Sequence, residues 1–143
     1  MIHPPHSAAA GFAAALALCF SGLSAAAAPV ISEIMYRPGT AFPENTGLEF
    51  IELYNPDGAA ADISGWAFTS GVSYTFPPGS VIPAGGYLVF YESLHFENED
   101  DPGCRTPFGL SKDGETVYLH SGSEGILTGY SEQQEFGASE PGV

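Results

Sequence analysis

Between residues 29 and 130 the apolar side chains fall into short runs rich in Val, Ile, Phe and Tyr, separated by Gly and Pro clusters. No stretch of a dozen residues repeats apolar positions at i, i+3, i+4 and i+7. Runs of this kind suit half-buried strands, so the pattern predicts an all-β fold. Seven strands are expected, at 29–36, 48–55, 61–69, 72–76, 86–92, 115–120 and 125–130, a number that suits two packed sheets. Side chains alternate across a strand. Ile51 and Leu53 therefore share a face opposite Phe50, Glu52 and Tyr54, and Val117 and Leu119 point away from Thr116, Tyr118 and His120. Ile51, Leu53, Val117 and Leu119 are the expected core, with Trp66, the only tryptophan, as its large anchor. Segment 86–92 is apolar on both faces, Tyr87, Val89 and Tyr91 opposing Leu88 and Phe90. That predicts a central strand, with a surface covered by a partner as the alternative. Asn55-Pro56-Asp57-Gly58, Pro77-Pro78-Gly79 and Pro83-Ala84-Gly85-Gly86 stop the flanking strands by presetting φ and removing donors.

Ahead of this region, residues 8–23 form a charge-free apolar run followed by Ser24-Ala25-Ala26-Ala27-Ala28-Pro29, small residues suited to a signal peptidase. The run is shorter than the roughly 20 residues a bilayer span needs, so residues 1–27 are expected to be a cleavable signal peptide and 28–143 the mature domain. Secretion, or placement in the periplasm or on the cell surface, follows. A lipid anchor on Cys19 is disfavoured because bulky Leu18 precedes it. Once the leader is removed Cys104 is the one remaining thiol, which forbids an internal disulfide and fits a small buried hydrophobe.

Charge narrows the function classes. Lys and Arg number 3 against 17 Asp and Glu, a formal charge of −14, and such a polyanion repels nucleic-acid phosphates and anionic lipid surfaces. Neither nucleic acid nor a stable membrane span is an expected partner. No Gly-x-Ser-x-Gly, Cys-x-x-Cys, His-Glu-x-x-His or phosphate loop occurs, and the surroundings of His95 and His120 mark no nucleophile. Pairs such as Glu49 with Glu52 or Glu33 arise readily in so acidic a chain. The densest polar run, Glu97-Asn98-Glu99-Asp100-Asp101-Pro102-Gly103, offers hard oxygen donors in a turn. Glu97, Glu99, Asp100 and Asp101 are therefore candidate calcium ligands, although Pro102 and Gly109 occupy positions where an EF-hand loop needs oxygen donors. No other cofactor is expected.

Val30-Ile31-Ser32-Glu33-Ile34-Met35-Tyr36, Glu49-Phe50-Ile51-Glu52-Leu53-Tyr54-Asn55-Pro56, Ile63-Ser64-Gly65-Trp66 and Ile82-Pro83-Ala84-Gly85-Gly86-Tyr87-Leu88 follow one another in an order and spacing that resembles the bacterial, secreted branch of the lamin-tail domain family. Gly114-Glu115-Thr116-Val117-Tyr118-Leu119 extends the likeness. The resemblance implies an immunoglobulin-like β-sandwich of Greek-key type that is not an enzyme. It also implies a module of exported proteins, often beside hydrolase, nuclease or spore-coat-type kinase domains, that serves attachment or binding. Relatives continue through a closing strand and often into further domains, so a domain truncated at its C-terminus, the N-terminal part of a larger secreted protein, is expected. The reading is then a non-catalytic exported module that binds a protein or a glycan, with Tyr54, Tyr87, Tyr91 and Tyr118 as nominees for sugar stacking. A small secreted hydrolase and a calcium-dependent structural protein of the envelope stay open beside it.

Overall fold

A computed structural model describes residues 27–38, 47–107, 109–123 and 126–138. The expected export segment, apart from Ala27, lies outside the described residues. Among the described residues there are ten strands: β1 (Val30–Met35), β2 (Phe50–Tyr54), β3 (Ala61–Asp62), β4 (Ala67–Ser70), β5 (Ser73–Thr75), β6 (Val81–Ile82), β7 (Tyr87–Tyr91), β8 (Cys104–Thr106), β9 (Gly114–Ser123) and β10 (Ile126–Gly137). A single π-turn, Glu92–Phe96, follows β7. They form a three-stranded sheet ordered β1-β2-β7, a five-stranded sheet ordered β10-β9-β4-β5-β8 and a small β3-β6 ladder. Every pairing is antiparallel.

The core lies between the two larger sheets, where alternation delivers apolar side chains from both. Ile51 and Leu53 of β2 meet Val117 and Leu119 of β9, all four without solvent exposure, together with Ile63 and Ile82. Phe90 is the hub of an aromatic cluster, with ring centroids 4.6 Å from Tyr74, 5.2 Å from Phe68, and 5.4 Å from Phe76 and Phe96. Edge-to-face and offset contacts of this kind add about 0.5–1.5 kcal/mol each beyond burial. Gly71, at φ +81°, turns the chain from β4 to β5 directly over Val117, whose Cγ2 lies 2.6 Å from where a Cβ would sit. A side chain there has neither the room nor the backbone conformation.

On one side the sandwich is clasped shut. Glu132 Oε1 accepts from the Ile31 N–H at 3.0 Å, the Tyr130 hydroxyl donates to the Pro29 carbonyl at 3.1 Å, and the Tyr36 hydroxyl donates to the Gly137 carbonyl at 2.7 Å, so β10 holds β1. Among the described residues β7, at the other edge of the β1-β2-β7 sheet, pairs only with β2.

Three expectations change. Trp66 packs against the core from its margin and is only partly buried. The Ile63-Ser64-Gly65-Trp66 turn, closed by Trp66 N–H donating to the Ile63 carbonyl at 3.0 Å with Gly65 at φ 78°, breaks the strand expected over 61–69 into β3 and β4. Trp66 comes out half-buried at the rim, against Tyr130 at 5.5 Å. The 86–92 run is an edge strand, and β2 is the centre of its sheet. The last strand runs on to Gly137, because its long pairing with β9 tolerates the polar Ser131-Glu132-Gln133-Gln134-Glu135 stretch on an exposed edge.

Candidate functional site

Directly opposed residues of an antiparallel sheet share a face, so the register places three rows on the outer surface of β1-β2-β7. These are Val30, Tyr54 and Tyr87; Glu33, Glu52 and Val89; Met35, Phe50 and Tyr91. The flanking rows carry aromatic pairs. Tyr54 and Tyr87 lie 4.7 Å apart with ring planes tilted by 30°, and Phe50 and Tyr91 meet edge-on at 6.0 Å. Between them Glu52 accepts from the Ser32 hydroxyl at 2.7 Å. Ser32 reaches it from a β-bulge, where the register slips between Ile31 and Glu33. Tyr87 is 58% and Tyr91 37% exposed. Rings this large, gathered on one strand in contact with water, mark an interaction surface more often than chance exposure.

The backbone of β7 explains why this face has an open border. Glu92 N–H donates to the Glu49 carbonyl and Asn55 N–H to the Gly86 carbonyl, both at 2.9 Å, which fixes the 49/92 and 55/86 pairs as hydrogen-bonded. By the alternation of an antiparallel ladder, Leu88 and Phe90 point their amides and carbonyls at β2, while those of Tyr87, Val89 and Tyr91 point away. The Tyr91 N–H finds Nδ1 of His95 at 2.9 Å. Among the described residues no backbone group answers those of Tyr87 and Val89. Alongside this border lies a cavity of about 380 Å³, lined by Tyr74, Phe76, Val81, Val89, His95 and Asp101 among others.

A second feature is an acidic cluster. Glu49 Oε2, Glu97 Oε1 and Glu92 Oε1 stand 2.9, 3.0 and 3.3 Å from the position a Cβ on Gly109 would take. Glu49 is 7% exposed and accepts from the Leu110 N–H at 2.8 Å. Its carboxyl is pushed up by burial first and by the charge of Glu97, against the pull of the Leu110 hydrogen bond and Lys112. Glu92 is pushed up to about 7 by burial, by its hydrogen bond with Glu97 and by the negative charge of Glu49 and Glu97. Glu92 therefore keeps its proton to higher pH than an ordinary carboxyl, which lessens its repulsion with Glu49 and Glu97.

The four acids nominated for calcium are not brought together. Among the described residues no group of three or more His, Cys, Asp and Glu side chains is placed to hold a metal ion. The 97–101 run folds instead as consecutive side-chain-capped turns. Asn98 Oδ1 accepts from the Asp100 N–H at 3.0 Å, and Asp101 Oδ1 accepts from the Gly103 N–H at 2.7 Å and the Tyr74 hydroxyl at 3.0 Å. Glu97 turns back to Glu92, and Glu99 and Asp100 are exposed. Of the four nominated tyrosines, Tyr54, Tyr87 and Tyr91 share the outer face of the small sheet. Tyr118 belongs to the other sheet, stacked on His120 at 6.0 Å. Cys104 is half-buried and donates to the Phe96 carbonyl at 3.3 Å. Sequence reading missed the Glu49–Glu92–Glu97 cluster, because only the strand register sets Glu92 opposite Glu49. It also missed buried Asn55, whose Nδ2 donates to the carbonyls of Ala59, Ile82 and Pro83 at 2.8, 3.2 and 3.0 Å.

Two larger antiparallel sheets packed over an aromatic-rich core make an immunoglobulin-like β-sandwich. The family model described as Lamin Tail Domain matches residues 23–133, well over half of the chain, and the chain belongs to that family of non-enzymatic immunoglobulin-like domains. No curated protein and no solved structure gave a significant match. Among the described residues no helix is long and apolar enough to cross a membrane.

Proposed function

We propose that this chain is a non-catalytic attachment module of an exported protein, and that it binds its target through the outer face of the β1-β2-β7 sheet. One observation carries the reading: the paired rings Phe50/Tyr91 and Tyr54/Tyr87 border Glu52 on a sheet whose outermost strand, β7, exposes Tyr87 and Tyr91. The leader-like run at residues 8–23 supports action outside the cytoplasm. The test is co-sedimentation of the purified protein with isolated cell envelopes, untreated and protease-treated. Retention of the wild type and at least a tenfold loss for the Tyr87→Ser/Tyr91→Ser double variant, with an unchanged circular dichroism spectrum, is the expected result. Equal retention of both proteins contradicts the assignment of the face.

A second reading, a hydrolase, draws on the Glu92 carboxyl held near neutrality beside Glu49 and Glu97, the kind of pairing that general acid–base chemistry uses. The cluster does not line the cavity at β7, whose only carboxylate among the described residues is Asp101, and that acid is engaged by Tyr74 and Gly103. Attachment is the better-supported reading.

A further inference from the structure

We propose that the open edge of β7 takes up an extended, cationic peptide segment as an added strand, seated in the cavity between β7 and the β5–β6 connection. The inference rests on the attachment reading and specifies its target as protein.

The backbone supplies the first half of the argument. Tyr87 and Val89 present two amides and two carbonyls outward in strand geometry, the spacing an incoming strand needs. Natural edges are commonly blunted by a Lys, a Pro or a covering segment, and the β7 sequence Tyr-Leu-Val-Phe-Tyr contains neither residue. His95 closes the edge at Tyr91, which limits the open register to Tyr87 and Val89 and gives the groove an end.

Side chains supply the second half. In an added strand alternate residues point to opposite faces. One set faces the cavity walls formed by Tyr74 and Phe76, and the other extends the outer face beyond Tyr87 and Tyr91. Val81, which lines the cavity, is 47% exposed, and Tyr87 and Tyr91 of β7 are exposed too, so a bound strand covers apolar surface along this border. Charge selects the occupant. Among the described residues Asp101 is the one carboxylate on the cavity wall and no Lys or Arg lines it, and Glu97, Glu99 and Asp100 precede Asp101 in the chain. Nearby Arg105 is turned to the Thr75 hydroxyl at 3.2 Å. A segment alternating apolar residues with Lys or Arg fits both the walls and the field. A second copy of the chain fits poorly, since two chains each of charge −14 repel as their edges approach.

The probe is acetyl-Lys-Val-Lys-Val-Lys-amide, titrated into the isotope-labelled full chain and read by amide hydrogen exchange and chemical-shift change. Saturating peptide is expected to slow exchange of the Tyr87 and Val89 amides at least tenfold. Affinity is expected to fall at least tenfold when the peptide valines are N-methylated, when its lysines are replaced by glutamates, and in the Val89→Pro variant. The Val89 N–H makes no bond to β2, and proline is tolerated at such edge positions. The N-methylated peptide keeps the test valid should Val89→Pro fail to fold. Equal binding of the N-methylated peptide, protection that appears with rising protein concentration alone, or a response at this edge to a soluble oligosaccharide in place of the peptide overturns the proposal. If the peptide leaves β7 unchanged while Tyr87→Ser/Tyr91→Ser still abolishes envelope binding, strand uptake is wrong and attachment stands. Loss of both results removes both readings.

Discussion

Asn55 shows how one side chain can tie the turn after β2 to the end of β6. It is fully buried, its amide donates to the carbonyls of Ala59, Ile82 and Pro83, and its Oδ1 accepts from the Asp57 N–H at 3.1 Å. A carboxylate is acceptor-only, so Asn55→Asp loses every donation and turns its charge on three carbonyl oxygens. Urea unfolding should place Asn55→Ala about 2–4 kcal/mol below wild type, because each buried group left without a partner costs roughly 1–3 kcal/mol, and Asn55→Asp lower still. Equal stability of wild type and Asn55→Asp contradicts this role. Glu92 sets a pH dependence. Its folded-state carboxyl is raised above the ordinary value of 4.5 to about 7, so the proton it holds contributes stability that is complete below about 4.5 and lost as pH rises through 7. The melting temperature should fall between pH 5 and pH 8, and Glu92→Gln, which keeps a neutral donor beside Glu97, should flatten that fall. A profile unchanged by Glu92→Gln rules out the cluster as its source. Asn55 lay within the Leu53-Tyr54-Asn55-Pro56 stretch that carried the family resemblance, whereas Glu92 had no local mark.

Among the elements, β2 and β9 were legible because each alternates cleanly, Ile51 and Leu53 or Val117 and Leu119 inward with polar or aromatic residues outward. β7 misled for a physical reason. Apolar residues on both faces of a strand mean that both faces are covered, and a strand covered by neighbours of its own fold cannot be told from one awaiting a partner. The structure places β7 at an edge, and the same pattern then becomes the strongest local sign of an interaction surface. The 61–69 run was read as one strand because Gly65 sits among strand-forming neighbours. Its positive φ converts the middle of that run into a turn and sends Trp66 to the rim. β6 and β8, of 2 and 3 residues, are too short to leave a period in the sequence.

At the scale of the whole molecule the sandwich is asymmetric. Side chains of β10 bind β1 along one seam, and the other seam opens beside β7 into a cavity with an acidic end. The all-β class followed from periodicity. Which seam is open did not, since that depends on strand order, and strand order is a long-range property that no local pattern encodes. Strand uptake needs that seam open to water in the free protein, and residue-resolved amide hydrogen exchange of the free protein tests it directly. Alternating protection along β7 is predicted, slow at Leu88 and Phe90, which bond to β2, and fast at Tyr87 and Val89, which face outward. Uniformly slow exchange across Tyr87–Phe90 shows that another strand already covers the edge, and contradicts the account.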